Sequence, residues 1–427
     1  MQAIKNISVL TLGCAKNVVD SENLIGLIEK NGFKHTFNVN KTDAVIINTC
    51  GFISSSKEES VRLIYEIGEL RKRRKIKKLI VFGCFVQRYQ QELTEQIGFV
   101  DHFYGIGKFP EILSDLKKAP ELVADRFLLT PPHSAYLKIS EGCDHRCAFC
   151  AIPNIRGEQV SRPIEELVAE AQGLVARGVK EINVIAQDTT AYGKDIYGKQ
   201  SITELVQRLS DINDLQWLRV LYTYPVGFPM DLLKVMAERE NIVKYLDMPL
   251  QHISDPVLKA MGRGISGEKT RELVKKIREQ VPSVALRTTF IVGFHNETEA
   301  DFEQLYNFVG EARLDRVGAF VYSPEDGTPA FDSGDPISPE IKQDRMDRLM
   351  TLQNEISLEN NQALIGKTIK VLIDEHVGND FIGRTYKDAP DVDNSVIMLA
   401  GKKELTGEFV NVKIDDAEEY DLFGEIV

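Results

Sequence analysis

The chain has 427 residues, 43% of them hydrophobic, and a formal net charge of −12 at pH 7. This length exceeds one ordinary domain, so we expect two or three domains with cores of normal size. The acidic balance is unlike that of a general nucleic-acid binder, and no stretch approaches the roughly 20 apolar residues that a membrane span requires.

The first 130 residues alternate strand and helix signals. Three apolar runs are each followed by a helix-like stretch: 9–13 by 21–31, 44–48 by 57–75, and 79–83 by 87–96. This order predicts an α/β fold with a doubly wound parallel sheet. Cys14, Cys50 and Cys84 closely follow the three strands. Because strand carboxyl ends meet at one sheet edge, where such folds bind ligands, we expect these cysteines, here called the sheet triad, to converge.

A linker at Pro131 and Pro132 leads into a second β/α region that extends to about residue 365. Its strand candidates alternate with helix-like stretches and lie at 135–140, 182–186, 217–222, 245–248, 286–292 and 317–322. These six units suit a full or partial (β/α) barrel with its site at the strand carboxyl ends. A proline-rich break at 336–339 precedes a long closing helix, predicted over 340–364.

From residue 366 to the end, short strands alternate with turns rich in glycine and aspartate, which predicts a small all-β barrel. The strands are expected at 368–374, 396–399, 409–414 and 421–426. This terminal barrel has 14 acidic and 7 basic residues, a large share of the chain's negative charge. The predicted domains are 1–130, 131–365 and 366–427.

No apolar export segment precedes the first predicted strand, which predicts a cytoplasmic protein. That compartment is reducing. The six cysteines are therefore expected to be metal ligands or catalytic thiols and not disulfides.

Cys143, Cys147 and Cys150 form the pattern C-x3-C-x2-C after the first strand of the central barrel, and we call them the loop triad. Thiolates are soft ligands that suit iron–sulfur clusters or zinc. Three ligands would leave one iron of a four-iron cluster open for chemistry. The alternative is a structural zinc site with His145 as fourth ligand, but such sites usually pair two Cys-x2-Cys-like knuckles, and a second knuckle is missing.

The loop triad with the aromatic Phe149 resembles the cluster motif of the radical S-adenosylmethionine (SAM) enzymes. The resemblance implies a 4Fe-4S cluster whose open iron binds SAM, and reductive cleavage of SAM to a radical that removes hydrogen from an unactivated C–H bond. It also implies that Phe149 and Ile291 lie near the adenine, Gln187 near the amino group and Arg219 at the carboxylate, which arginine binds well. Core packing and structural ion pairs are the alternative interpretations.

The segments 12–17, 48–52 and 82–85 resemble the N-terminal domain of the methylthiotransferases, a radical SAM family that ends in a β-barrel called TRAM. The resemblance covers almost the whole chain. It implies a second 4Fe-4S cluster at the sheet triad, where sulfur is methylated by one SAM and inserted at the carbon radical made with another. All six cysteines would then be catalytic as well as metal ligands. A partner that donates electrons, such as flavodoxin or ferredoxin, is also implied. Three buried structural cysteines are the alternative.

One branch of this family modifies adenosine in tRNA, and another modifies the β-carbon of an aspartate in protein S-twelve of the small ribosomal subunit. Segments 14–22, 143–150, 249–252 and 383–390 resemble the ribosomal-protein branch. A barrel that grips tRNA should be basic, whereas an acidic one complements a basic ribosomal protein. The opposing signal is the basic run at 71–78, which suits either a solvated helix end or contact with ribosomal RNA.

Asp188, Tyr222 and His252 are further candidates for substrate contact, although a single histidine is commonly structural. Gly157 and Glu158 are interpreted as an ordinary turn. The rival from another class is a non-enzymatic iron–sulfur or zinc protein that binds the ribosome or RNA, and it predicts no SAM cleavage by the reduced protein.

Overall fold

The computed structural model describes residues 4–117, 119–401 and 403–427, so the expectation about the start of the chain falls partly outside the described residues. The N-terminal domain is a parallel sheet of order β2-β1-β3-β4-β5 with apolar cores on both faces. Its elements are β1 (Asn6–Thr11), α1 (Ala15–Lys30), β2 (Lys34–His35), β3 (Ala44–Thr49), α2 (Ser54–Lys72), β4 (Lys78–Gly83), α3 (Cys84–Gln96), β5 (His102–Tyr104) and α4 (Phe109–Leu116).

The central barrel is an open sheet of six parallel strands in the order β13-β12-β11-β10-β9-β6. Its elements are β6 (Ser134–Lys138), β7 (Ser140–Glu141), α5 (Ile152–Arg156), β8 (Val160–Ser161), α6 (Ile164–Ala176), β9 (Glu181–Ile185), α7 (Lys194–Tyr197), α8 (Ile202–Ser210), β10 (Trp217–Val220), α9 (Met230–Glu238), β11 (Ile242–Asp247), α10 (Asp255–Ala260), α11 (Gly267–Gln280), β12 (Ala285–Val292), α12 (Glu299–Ala312), β13 (Arg316–Val321) and α13 (Pro339–Gln362). The predicted partial barrel is confirmed.

The terminal barrel is closed, with the order β14-β15-β16-β18-β17. Its strands are β14 (Thr368–Val377), β15 (Asp380–Arg384), β16 (Ser395–Leu399), β17 (Phe409–Ala417) and β18 (Asp421–Ile426). Alternate residues point into its apolar core, among them Val371, Phe381 and Val412, each fully buried. The predicted all-β barrel is confirmed.

The connection between β15 and β16, residues 385–394, fills the amino-end mouth of the central barrel, and we call it the barrel plug. Asp388 pairs with Arg316 at 2.6 Å, and Asp393 accepts a hydrogen bond from the Tyr245 hydroxyl at 2.6 Å. Beside the plug, Arg384 pairs with the fully buried Glu181 at 2.8 Å. Charges that lack water must be paired in this way, so the plug fixes the terminal barrel to the central one.

The predicted first helix begins too late. α1 starts at Ala15 and not at residue 21 because its first turns bury polar residues, among them Lys16, Asn17 and Asp20, and so lack the apolar period of an amphipathic helix. The basic run at 71–78 covers the end of α2, the following turn and the first residue of β4, and Arg71 within it pairs with Asp101 at 2.7 Å. In the described part of the chain, no helix has the length and apolar character needed to cross a membrane.

Candidate active site between the two cysteine triads

The loop triad lies between β7 and α5, beyond the carboxyl end of the first barrel strand. The loop begins at Gly142, whose φ is +76° and where a Cβ atom would lie 2.0 Å from the carbonyl oxygen of Glu158. The backbone N–H of Cys143 donates to the carbonyl of Gly157 at 3.0 Å. The turn at Gly157 and Glu158, predicted as ordinary, therefore holds the start of the cysteine loop.

Cys147 is the buried member of the loop triad. Arg263 donates from Nη1 to its Sγ at 3.5 Å, and the Tyr224 hydroxyl lies 3.9 Å from the same sulfur. The His145 ring stacks on Tyr224 with 3.7 Å between centroids, while its Nε2 lies 2.7 Å from a carboxylate oxygen of Asp188. His145 therefore has Asp188 as its partner, and the zinc interpretation gains no support from its position.

The thiols of the loop triad suit a cluster. Burial, assisted by the neighbouring thiols, raises the pKa of Cys143 to about 11 and that of Cys150 to about 12. Coordination to a metal deprotonates such thiols outright. Within the described ranges, no three His, Cys, Asp or Glu side chains surround a point that would hold a single metal ion. Three thiols on one loop are a donor set that suits an iron–sulfur cluster.

The sheet triad lies at the carboxyl edge of the N-terminal sheet, as predicted. Asn17 holds this edge together, because its Nδ2 donates to the carbonyls of Leu12 at 2.8 Å and Thr49 at 3.3 Å. A Cβ atom on Gly13, whose φ is +92°, would lie 3.0 Å from the sulfur of Cys50. The turn after β1 therefore passes directly beside Cys50.

The members of the sheet triad differ in environment. Cys84 is buried, and burial raises the pKa of its thiol to about 11 although Arg156 acts in the opposite direction. Cys14 is open to solvent on one side. Desolvation by the surrounding protein would raise the pKa of Cys14, but the charges of Lys16 and Arg156, together with hydrogen bonds from the backbone N–H groups of Asn17 and Lys16, lower that pKa. Three free thiols beside two cations fit an anionic iron–sulfur cluster.

Arg156, the last residue of α5, connects the two triads. Its Nη2 donates to the sulfur of Cys84 at 3.3 Å and to Oδ1 of Asn17 at 2.7 Å, while its Nη1 donates to Glu141 at 2.5 Å. Only 2% of this side chain is exposed. The helix that directly follows the loop triad thus contacts a cysteine of the sheet triad, so both triads border one interdomain site.

A second contact between these domains follows β13. The Glu325 carboxylate accepts from Lys57 at 2.9 Å, and Asp326 accepts from Arg88 at 3.0 Å and from the Tyr89 hydroxyl at 2.6 Å. Arg88 also donates to the carbonyl of Gly51, next to Cys50. The sheet triad is therefore held against the carboxyl end of the barrel from two sides.

Three of the predicted SAM contacts lie around the loop triad. Phe149 and Ile291 pack in one apolar cluster with Phe294, whose ring centroid is 6.4 Å from that of Phe149. Gln187 donates to Glu141 at 3.1 Å, and its own side-chain oxygen is buried with no hydrogen-bond partner among the described residues. The roles of Phe149, Ile291 and Gln187 in SAM binding stay predictions.

The predicted role of Arg219 at the SAM carboxylate is wrong. Arg219 is fully buried, pairs with Glu181 at 3.2 Å, and donates to the carbonyl of Tyr386 in the barrel plug at 2.8 Å. It faces the amino-end mouth, away from the cysteines, so the ion-pair alternative is correct. His252 is also fully buried, 3.3 Å from Glu297, which supports its structural interpretation over substrate contact.

Sequence reasoning missed four residues of this site: Lys16, Arg156, Tyr224 and Arg263. Lys16 lies two residues after Cys14, and Arg156 lies six after Cys150. Their short distance in sequence from a predicted ligand cysteine is a signal from which both residues could have been predicted. Tyr224 and Arg263 come from other loops of the barrel, and nothing local in the sequence marks them.

Three family models match the chain. Residues 137–309 match "Radical SAM superfamily", residues 365–427 match "TRAM domain", and residues 6–105 match "Uncharacterized protein family UPF0004". Among solved structures, the radical SAM methyltransferase TsrM from Kitasatospora setae has a TM-score of 0.57 at 14% identity, over 77% of both chains. The radical SAM enzyme OxsB has a TM-score of 0.51 at 10% identity, over 82% of this chain and 56% of its own. These likenesses concern the fold alone.

Curated relatives extend over nearly the full length. The chain is 50% identical to the "Ribosomal protein uS12 methylthiotransferase RimO" of Chloroherpeton thalassium, over 98% of both chains. It is 48% identical to the protein of that name from Cytophaga hutchinsonii, over 99% of this chain and 98% of the relative. The fold and the loop triad define a radical SAM enzyme, with a 4Fe-4S cluster and SAM as its cofactors. Within that class, the chain belongs to the RimO family of methylthiotransferases.

Proposed function

We propose that this enzyme adds a methylthio group to the β-carbon of an aspartate in ribosomal protein uS12, the substrate named for its relatives. The observation that carries the proposal is the contact between Arg156 and the sulfur of Cys84 at 3.3 Å. It places the helix that follows the loop triad against the sheet triad, which supports one shared site for carbon activation and sulfur delivery. The domains that divide this work are 1–130, 131–365 and 366–427.

The loop triad would hold the 4Fe-4S cluster that binds SAM, and the sheet triad would hold a second 4Fe-4S cluster that carries the sulfur. When bound, the first cluster and SAM supply a carbon radical by hydrogen removal, chemistry that side chains alone do not provide. The protein's part is to hold and shield the reactants. Phe149 and Ile291 supply an apolar wall, Gln187 offers its unpaired oxygen to the SAM amino group, and Arg263 covers the sulfur of Cys147.

The terminal barrel supports a protein substrate through its exposed carboxylates. Its net charge overstates this support, because some of its carboxylates are paired inside the molecule. Part of its acidity is used inside the molecule, since Asp388 pairs with Arg316 and Asp393 with Arg287. Other carboxylates remain exposed and carry no ion pair within the described ranges, namely Asp415, Asp416, Glu418 and Glu419. An exposed acidic surface repels tRNA and complements a basic ribosomal protein.

The further parts of the proposal are a cytoplasmic location, where the ribosome and a reducing environment are both present, and an electron donor such as flavodoxin or ferredoxin. The donor must reduce the cluster at the loop triad before each cleavage of SAM. No membrane contact and no tRNA substrate are part of the proposal.

Intact mass measurement of uS12 tests the substrate. Ribosomes from a strain that carries the gene should contain uS12 heavier by one methylthio group, and ribosomes from a deletion strain should contain the unmodified protein. A change in tRNA nucleosides with unchanged uS12 would replace this proposal by the tRNA activity. Anaerobic incubation with SAM and dithionite tests the enzyme class, because a non-enzymatic binding protein would form no 5′-deoxyadenosine.

A further inference from the structure

Lys16 is a largely buried lysine with no carboxylate partner in the described part of the chain. The residue is 7% exposed, and its Nζ lies 3.2 Å from the centroid of the Tyr222 ring. Among the residues that the structure describes, no hydrogen bond or ion pair to this Nζ is found. The face of an aromatic ring attracts a cation only moderately. Nζ is not one of the side-chain atoms that the protein covers completely without a hydrogen-bond partner, so the ammonium keeps access to the open site.

Three other cations around this site are paired with carboxylates, and a fourth, Arg263, donates to the sulfur of Cys147 and to the carbonyl of Pro249. Lys138 is 2.8 Å from Glu141, Arg156 is 2.5 Å from the same carboxylate, and Arg287 is 2.9 Å from Asp247. The second oxygen of Asp247 accepts from the backbone N–H of Tyr222 at 3.0 Å. The carboxylates of this region are thus engaged with other groups. Because the surrounding protein restricts the hydration of this ammonium and supplies no carboxylate to it, an anionic ligand that enters the site is expected to contact Lys16.

The position of Lys16 agrees with a substrate contact. Lys16 follows Cys14 by two residues and reaches across the domain boundary to Tyr222, just beyond the end of β10. The carbonyl of Tyr222 accepts from the N–H of Thr189, next to Asp188, which holds His145 of the cysteine loop. Tyr222 has a φ of +58°, a conformation that non-glycine residues keep mainly where the surroundings impose it. Lys16 therefore connects the loop that carries Cys14 to the barrel loop that follows β10.

We propose that Lys16 binds the carboxylate of the substrate aspartate and makes the enzyme specific for an acidic side chain. The inference rests on the proposed function, in which the reacting β-carbon is bonded directly to that carboxylate. An ammonium offers three donors, and one of them on the carboxylate would place the neighbouring carbon between the radical loop and the sheet triad. Tyr222 seats the ammonium before the substrate arrives.

A double-mutant cycle between enzyme and substrate tests this contact. Equilibrium affinity is measured anaerobically for the reconstituted full chain and uS12, with the target residue either aspartate or asparagine. The wild type should bind the aspartate form at least about tenfold more tightly, the range typical of a buried charge pair. Lys16→Met should lose this preference and Lys16→Arg should retain it. Lys30→Met, at the exposed far end of α1, is the matched control and should behave as wild type.

The same proteins test whether Lys16 instead binds the other carboxylate expected in the site, which is that of SAM. If Lys16 binds SAM, Lys16→Met will lose 5′-deoxyadenosine formation in the absence of uS12, and the substrate role is overturned. If Lys16 only balances the charge of the sheet-triad cluster, the preference for aspartate will survive in Lys16→Met, which also overturns it. Wild-type enzyme that neither binds nor modifies uS12 would instead refute the proposed function, and this inference with it. A melting temperature at or above wild type for Lys16→Met shows that the fold is intact.

Discussion

The loop triad takes its three cysteines from one short loop, whereas the sheet triad takes one cysteine from each of three strand ends. The loop has local restraints, chiefly the tight turn at Gly142 and the hydrogen bond between Cys143 and Gly157, although Arg263 also reaches Cys147 from another barrel loop. The sheet triad exists only after β1, β3 and β4 have paired. Contacts between residues far apart in sequence form later and at greater entropic cost. The comparison teaches that the two sites can be damaged separately, and by different kinds of substitution.

The largest effect is expected from Cys147→Ala. Removal of a ligand from the loop triad should abolish 5′-deoxyadenosine formation, because SAM binds at that cluster. Measurement is by chromatography after anaerobic incubation with SAM and dithionite. The sheet triad should keep its iron. Continued formation of 5′-deoxyadenosine above background would contradict the assignment of the loop triad.

Replacement of the whole sheet triad by alanine should produce the opposite pattern. Roughly half of the iron should be lost, as expected if each triad holds one cluster of equal size. Formation of 5′-deoxyadenosine should continue, but uS12 should gain no methylthio group. Iron and sulfide analysis on anaerobically reconstituted protein gives the first result, and intact mass of uS12 gives the second. Unchanged iron content would show that the sheet triad holds no cluster.

A pair of glycine substitutions sharpens the contrast. Gly13→Ala places a Cβ atom 2.8 Å from the Cβ of Cys50, and Gly142→Ala places one 2.0 Å from the Glu158 carbonyl. Each should lower the free energy of unfolding by about 1–3 kcal/mol, since both positions have positive φ. Gly13→Ala should reduce iron at the sheet triad alone, and Gly142→Ala at the loop triad alone. Gly157→Ala, where a Cβ atom meets nothing within 4 Å, is the control for backbone strain without a clash. Equal iron loss at both triads in either variant would argue against separate sites.

The smallest effect is expected where the two triads meet. Arg156→Lys keeps the charge but loses the planar fork that reaches Cys84, Asn17 and Glu141 together. Loss of one such hydrogen bond is worth about 1 kcal/mol, or roughly fivefold. We expect a roughly fivefold decrease in the methylthio product formed per 5′-deoxyadenosine, and we expect the rate of SAM cleavage to be unchanged. Arg162→Lys, on the same domain but paired with Glu170, is the control. An equal yield of methylthio product per 5′-deoxyadenosine in both variants would show that Arg156 has no part in joining the sites.

Much of this architecture is readable from the sequence because its signals are local. Strand and helix periods gave the order of elements, and the spacing of cysteines after strands predicted both triads. The strands β2 and β5 were not predicted because two or three residues carry no usable period. The role of Arg219 was predicted wrongly because a strand position alone does not show whether a side chain faces the amino end or the carboxyl end of the barrel. The missing partner of Lys16 is visible only when every neighbouring carboxylate has been located.

The barrel plug has a consequence for how this enzyme could be rebuilt. Residues 385–394 belong to the terminal barrel by sequence, yet they satisfy charges that the catalytic barrel carries in its own interior, including Arg316. A truncated enzyme that ends before residue 366 would expose those charges without partners and should be insoluble or unfolded. For the same reason, a terminal barrel transplanted from another enzyme would need a plug that matches the charges of the central barrel. A change of substrate recognition by barrel exchange therefore also requires a change of the residues at the amino-end mouth of the central barrel.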